Sequence, residues 1–289
     1  MAWVQQGSKW WRMKKIDSHQ HFWLYNPVKE AWITDDMAVI QRDFLPADVL
    51  ELLQYNNIDG CIAVQADQSE AENEFLLDQA KTTPFIKGIV GWVDLRADNI
   101  EERLAHYQQY KLIKGFRHIV QPEPGGFMLT SEFKRGISKL AAYGFTYDII
   151  IGNNQLKEAI ELVTEFPEQK FVVDHLAKPN IKAGEIDEWK KDIEAIALYN
   201  NVYCKVSGFC TEADWYHWKL EDVVPYLDVV FTAFGANKVM YGSDWPVSLL
   251  AGGYNRVIQS LKTYVQQLTP HEQDLFWGGN AANFYNLDI

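Results

Sequence analysis

Eight short runs rich in β-branched and aromatic residues recur along the chain, and each is followed by a stretch with helical spacing. The runs are KIDSHQHFW (15–23), IDGCIAVQAD (58–67), IKGIVGWVDL (86–95), IKGFRHIV (113–120), FTYDIII (145–151), KFVVDHLAKP (170–179), NVYCKVSGF (201–209) and KVMYGSDWP (238–246). Between them, PADVLELLQYNN opens with a proline suited to a first helical turn and places Val49, Leu52 and Leu53 on one face. SEAENEFLLDQAK begins at a capping-type Ser69, and SEFKRGISKLAAYG is stopped by Gly144. Strand then helix, repeated eight times at roughly 30-residue spacing, is the pattern of a single (β/α)8 TIM barrel. A doubly wound open sheet has fewer strands and a Gly-rich first turn, and HQHFW is no phosphate cradle. The barrel is expected over residues 13–289, with residues 1–12, which hold Trp3, Trp10 and Trp11, as an extension outside the fold.

A chain that is 47% hydrophobic and 23% charged is globular rather than disordered. Its formal net charge of −12 repels phosphate backbones and anionic lipid heads, so neither nucleic acid nor a membrane surface is an expected partner. No run of about 20 apolar residues is present, and the first dozen residues lack the apolar core of a signal peptide. Three cysteines without CxxC spacing point to reduced thiols in a cytoplasmic setting. A homo-oligomer is left open.

In a barrel the chemistry collects at the carboxyl ends of the strands. The first run carries His19 and His21 there, two residues apart and so on one side of a strand, with Asp17 beside them and Ile16 and Phe22 opposite. The second supplies Gln65 and Asp67, the third Trp92 and Asp94, and the fourth Arg117 and His118. The sixth ends in His175, followed by Lys178; the seventh offers Lys205 and Ser207, and the eighth Asp244 and Trp245. Neutral imidazoles and a carboxylate suit a divalent ion, zinc in particular, with one position left for water. The alternative is a metal-free site, in which the same groups polarise a carbonyl and Asp244 acts as base. Segment 22–45, with Trp23 and Trp32, is an irregular loop on the catalytic face; Trp23, Trp92 and Trp245 are candidates to stack on the apolar face of a ligand.

Taken in order, the motifs DSHQHFW, RDFLPADV, GFRHIVQ, DHLAKP, KVSG and YGSDWP resemble the amidohydrolase superfamily, and within it the lactonase branch. That branch includes hydrolases of L-fuconolactone and L-rhamnonolactone and of pyrone-dicarboxylate and muconolactone substrates. The resemblance implies a lactone-opening hydrolase acting on a small-molecule substrate. Asp244 would be the general base, His19, His21, His175 and Asp244 would hold at most one divalent ion, and Arg117, His118, Lys205, Gln65, Trp92 and Trp23 would hold substrate. Binuclear members carry a lysine at the end of strand four and a histidine at the end of strand five. Here Lys114 stands at the opposite end of its strand, and FTYDIII has no histidine. Two other activities share the same sequence features: a metal-dependent decarboxylase of aromatic-derived acids, and a non-catalytic carbohydrate-binding barrel.

Overall fold

The computed structural model describes residues 13–289; the expected N-terminal extension of residues 1–12 lies outside the described residues. The eight runs form one parallel sheet in chain order: β1 (Ile16–Gln20), β2 (Gly60–Val64), β3 (Ile86–Gly91), β4 (Ile113–Ile119), β5 (Thr146–Ile150), β6 (Phe171–Val173), β7 (Val202–Val206) and β8 (Val239–Tyr241). The seam between β8 and β1 closes through the residues that follow β8. Asp244 N donates to His19 O at 2.9 Å, His21 N to Trp245 O at 2.7 Å, and Ser18 Oγ to Tyr241 O at 2.6 Å. Helices separate the strands, for example Pro46–Asn56, Glu70–Thr82, Ser131–Leu140 and Leu220–Phe234. Pro46 sits in a first turn whose start is tied by the Asp48 carboxylate accepting from Leu45 N at 2.8 Å. Gly144, at φ 80°, ends the 3₁₀ turn Ala141–Tyr143, a conformation that costs glycine little.

The strands are buried on both faces, as a parallel sheet wrapped in helices requires. One set of residues, such as Cys61, Ile89, Phe116, Tyr147 and Val173, packs against the helical layer. The other set, Ile16, Ile62, Val64, Val90, Val172 and Met240, fills the barrel interior near its amino-terminal end. Ala281, Phe284 and Tyr285 from the end of the chain join this interior cluster, so the last helix, Asn280–Phe284, plugs the base of the barrel. Tyr285 reaches far enough in to donate its hydroxyl to Asp148 Oδ2 at 2.7 Å. No described helix is long and apolar enough to cross a membrane.

Three strands stop earlier than the sequence pattern suggests, and in each case the residues beyond are the informative ones. β1 ends at Gln20, one residue before His21; β6 ends at Val173, before His175; β8 ends at Tyr241, before Asp244. The chain leaves regular strand geometry there because backbone and side-chain bonds to neighbouring strands replace the ladder. Segment 22–45 is likewise folded down: Trp23 bridges Phe44, Trp23 Nε1 donates to Arg42 O at 2.8 Å, and a 3₁₀ helix spans Asp35–Ile40.

Candidate active site

Alternation along β1 would put Ile16 and His19 on opposite faces, yet both lie inside the barrel. The reason is a register shift against β2 between Asp17 and Gln20, where three steps on β1 match two on β2. The extra residue turns His19 inward above Ile16, and His21 follows it. Asp17 is taken up structurally at the seam: its carboxylate accepts from Ser243 N and Gln20 Nε2, both at 2.8 Å.

His175 arrives by a different device. Val172 points into the barrel, so Asp174 does too, and His175 would face the helices if β6 continued. Instead His175, Leu176, Ala177 and Lys178 all adopt left-handed backbone angles, with φ of 54°, 55°, 55° and 50°. Left-handed geometry costs a residue with a Cβ roughly 1–2 kcal/mol, so the turn stores on the order of 4–8 kcal/mol. Its surroundings hold it. Trp189 Nε1 donates to Leu176 O at 2.7 Å, Lys178 N donates to His175 O at 2.8 Å, and His175 Nδ1 bonds Ser207 Oγ at 2.8 Å. Gly208 leaves room for the imidazole, since a Cβ there would lie 2.6 Å from His175 Nδ1. The turn swings His175 back over the barrel axis beside Asp174.

The result is a convergence of Nε2 atoms. His19 Nε2 and His21 Nε2 lie 3.1 Å apart, and Asp244 Oδ1 lies 3.5 Å from His21 Nε2, 3.9 Å from His19 Nε2 and 4.0 Å from His175 Nε2. His21 Nδ1 faces Val64 O at 2.9 Å, which can only accept, so that nitrogen carries the proton and Nε2 presents its lone pair. Burial first of all, reinforced by the charge of Lys205, keeps His19 neutral against the pull of Asp174. Burial likewise lowers His175 to about 4 despite Asp244 and Asp174. Burial opposes the ionisation of Asp244, but the histidines gathered around it, His175 first, outweigh this and hold it below the usual carboxylate range.

These groups fit a divalent cation. A tetrahedron with bonds of about 2.0–2.1 Å has edges near 3.3–3.4 Å, close to the separations among His19, His21 and Asp244. Both His21 and His175 have the far nitrogen tied to a protein oxygen, the outer support that orients imidazole ligands. His19 serves two arrangements: Nδ1 lies 3.5 Å from Asp174 Oδ1 and 3.2 Å from Lys205 Nζ. With the proton on Nδ1, facing Asp174, Nε2 offers a lone pair, toward which Arg117 Nη1 points at 3.2 Å; with the proton on Nε2, His19 can donate to His21 while Lys205 donates to Nδ1.

Beneath the imidazoles lies a fully buried charge network. Lys205 Nζ is 2.5 Å from Asp148 Oδ2 and 3.0 Å from Asp174 Oδ1, while Arg117 Nη1 donates to Asp174 Oδ2 at 3.0 Å. Asp174 is held ionised against its burial by Lys205, His19 and Arg117. Lys205 thus supports His19 from below and does not line the cavity above it. Arg117 does line that cavity. Its Nη2 donates to Gln65 O at 2.6 Å, and its buried Nε–H has no partner among the described residues.

The cavity measures about 610 Å³, within the range of small-molecule sites. His21, His175, Asp244, Arg117 and Lys178 form its polar wall, and Trp23, Trp32, Ile119, Ile150 and Val247 its apolar one. Gln68 and Gln121 lie between. Among the residues expected to hold substrate, His118, Gln65 and Trp92 stand apart from it. His118 neighbours Arg117 on β4, so alternation turns it outward, where it stacks on Phe127 at 4.8 Å and meets Glu123 and Trp92. Gln65 is spent on the backbone, donating Nε2 to Arg117 O at 3.1 Å. Trp245 is buried against Phe44 and Phe22, whereas Trp32, 43% exposed, stands at the mouth. Lys178, next to a strand-end histidine, and Trp32, in the loop expected on the catalytic face, both line the cavity, although the sequence assigned neither a role there. Asp148, Asp174 and Tyr285 carry no such signal either, because their importance comes from partners on other strands.

Comparison with known proteins agrees with this geometry. The chain is 36% identical over 285 residues to L-fucono-1,5-lactonase of Burkholderia multivorans, covering 94% of this chain and 96% of that protein. It is 32% identical over 279 residues to L-fucono-1,5-lactonase of Burkholderia ambifaria, covering 95% and 96%. A crystal structure of an amidohydrolase from B. multivorans with bound zinc superposes with a TM-score of 0.91 at 35% identity, covering 95% of this chain and 99% of that one. The amidohydrolase family model matches residues 16–287, nearly the whole of the described chain, and the protein belongs to the amidohydrolase family.

Proposed function

We propose that this chain hydrolyses a sugar lactone, L-fucono-1,5-lactone being the first candidate, with Asp244 as the general base. The observation that carries this reading is the meeting of three imidazole Nε2 atoms and the Asp244 carboxylate on one wall of a small-molecule cavity. The near full-length similarity to two L-fucono-1,5-lactonases supports the substrate class.

Lactone opening needs a deprotonated water, a stabilised tetrahedral oxyanion and a protonated leaving alkoxide. Asp244 turns Oδ1 to the histidines, which leaves Oδ2 to take the proton of a water in the cavity. Arg117, fixed by Asp174 and Gln65 O, has the unpartnered Nε–H to donate to the carbonyl oxygen as charge develops there. His19, His21 and Asp244, with His175 Nε2 4.0 Å from the same Asp244 oxygen, would hold one divalent ion, zinc best suiting the donor set; when bound, it supplies Lewis-acid polarisation of the carbonyl. Trp23 and Trp32 offer apolar faces to the sugar ring, and Lys205 holds His19 in place rather than touching substrate. The three cysteines, buried and unpaired, are consistent with work in a cytoplasmic, reducing compartment.

A pH-indicator screen across L-fucono-1,5-lactone, L-rhamnonolactone, other aldonolactones and a pyrone dicarboxylate tests the reading. Acid release from at least one aldonolactone is expected. Release of CO₂ from an aromatic acid, with every lactone left intact, would replace it with the decarboxylase assignment.

A further inference from the structure

On β4 and β5 the charged layer inside the barrel gives way to an apolar one. Arg117 and Asp148 are register partners on these strands, and both reach inward, Arg117 to Asp174 and Asp148 to Lys205. Alternation turns the next inward pair, Ile119 and Ile150, to the same side, and they too are register partners. Both line the cavity. Ile150 is only 4% exposed, yet neither isoleucine joins the two apolar clusters formed by the described residues. Their apolar surface is turned to the cavity rather than to the core.

In a closed eight-stranded sheet, β4 and β5 lie across the barrel from the β8–β1 seam, where His21 and Asp244 meet. The isoleucine pair therefore faces the carboxylate proposed to activate water, with Arg117 one layer beneath it. This wall offers little to a hydroxyl group. Ile119 N already donates to Gln68 Oε1 at 2.7 Å, and Ile150 O already accepts from Val120 N at 3.2 Å. The side-chain amides of Gln68 and Gln121, half-buried and exposed respectively, stand toward the rim and not at the depth of Ile150.

We propose that Ile119 and Ile150 form the subsite that reads the C5 substituent of the lactone, accepting a methyl and disfavouring a hydroxymethyl. The inference rests on the lactonase reading proposed above. In a 1,5-lactone C5 is bonded to the ring oxygen, and the ring oxygen to the carbonyl carbon, so this substituent is carried beside the carbonyl. With the carbonyl oxygen at Arg117 Nε, the substituent meets the next inward layer of the same strands, about 7 Å further along them. A methyl loses no hydrogen bond there, whereas a hydroxymethyl gives up its water for a wall without a partner. An apolar pocket separates two such substrates by about 10- to 100-fold.

The test compares kcat/KM on freshly prepared L-fucono-1,5-lactone and L-galactono-1,5-lactone, which differ only by a hydroxyl on C6. Wild type is expected to prefer the first about 10- to 100-fold. Ile150→Thr keeps a β-branched side chain on the strand but brings a hydroxyl to the wall, and should cut this preference about 10-fold. Ile150→Val stays apolar and should hold the preference within about 3-fold. Ile119→Thr repeats the change at a less buried position, should Ile150→Thr melt early. The ratio of the two substrates is the readout, because a damaged fold or a displaced catalytic group lowers both alike. Equal kcat/KM for the two lactones in wild type, or an unchanged ratio in both threonine variants, overturns the subsite and leaves the lactonase reading standing. Failure of wild type to open these two or any other aldonolactone removes the lactonase reading, and the subsite with it.

Discussion

Gly208 is the position where one added methyl group should do the most harm. An alanine Cβ there would lie 2.6 Å from His175 Nδ1 and 2.7 Å from its Cγ, inside the ordinary contact distance by nearly an ångström. The imidazole cannot retreat without losing its 2.8 Å bond to Ser207 Oγ, and its Nε2 would then turn from Asp244. Gly208 also sits at φ 61°, where a residue with a Cβ is disfavoured by about 1–2 kcal/mol. With about 1 kcal/mol for the broken buried hydrogen bond, Gly208→Ala should cost roughly 2–3 kcal/mol, or about 4–6 °C in Tm for a chain of this length. Misplacing a reacting group by about 1 Å can cost on the order of 10²-fold in rate. Gly144→Ala is the control. Gly144 has φ 80° but no atom within 4 Å of the Cβ position, so it should lose about 2–4 °C with kcat unchanged. Differential scanning fluorimetry and initial rates on L-fucono-1,5-lactone read both quantities. If Gly208→Ala melts like Gly144→Ala and keeps its turnover, the left-handed turn does not hold His175 for chemistry.

Asp244→Asn keeps the shape but not the base, and should lower kcat by about 10²–10⁴ with the fold intact; near-normal steady-state turnover would remove Asp244 from that role. Trp32→Ala should raise KM for the sugar lactone several-fold and leave kcat nearly alone, since Trp32 stands at the cavity mouth away from Asp244; a kcat loss of equal size would show that it shapes the reacting end. Zinc added to chelator-treated protein should bind at one equivalent by isothermal titration, and His21→Ala should weaken it sharply; two equivalents at the strand ends would contradict the single-ion site expected from the absence of a lysine at the end of β4 and of a histidine on β5. Burial pushes Glu72 from 4.5 up to about 7. The folded state therefore binds this proton more tightly than the unfolded chain, and stability falls as pH rises through that window, by roughly 3 kcal/mol at most. Glu72→Gln should remove that slope in Tm against pH; an unchanged slope would place its origin elsewhere.

The eightfold strand–helix alternation, the apolar faces and the pairing of His19 with His21 are properties of neighbouring residues, and so they are legible in the chain itself. The strand-end histidines and Asp244 stood out for the same reason, because residue types suited to ligation and proton transfer cluster at the ends of β-rich runs. The same rule of alternation could have separated Arg117 from His118, since adjacent residues of β4 cannot both face inward. What the pattern could not contain is where the chain abandons it. A register shift against β2 turns His19 inward, a left-handed turn braced by Trp189, Ser207 and Gly208 returns His175 and Lys178 to the cavity, and Lys205 sinks beneath the imidazoles between Asp148 and Asp174. Each of these costs free energy locally, through strain or charge burial, and persists only because residues distant in sequence offset it. Local preference is written along the chain, whereas the energy that overrides it comes from contacts that exist only once the barrel has closed.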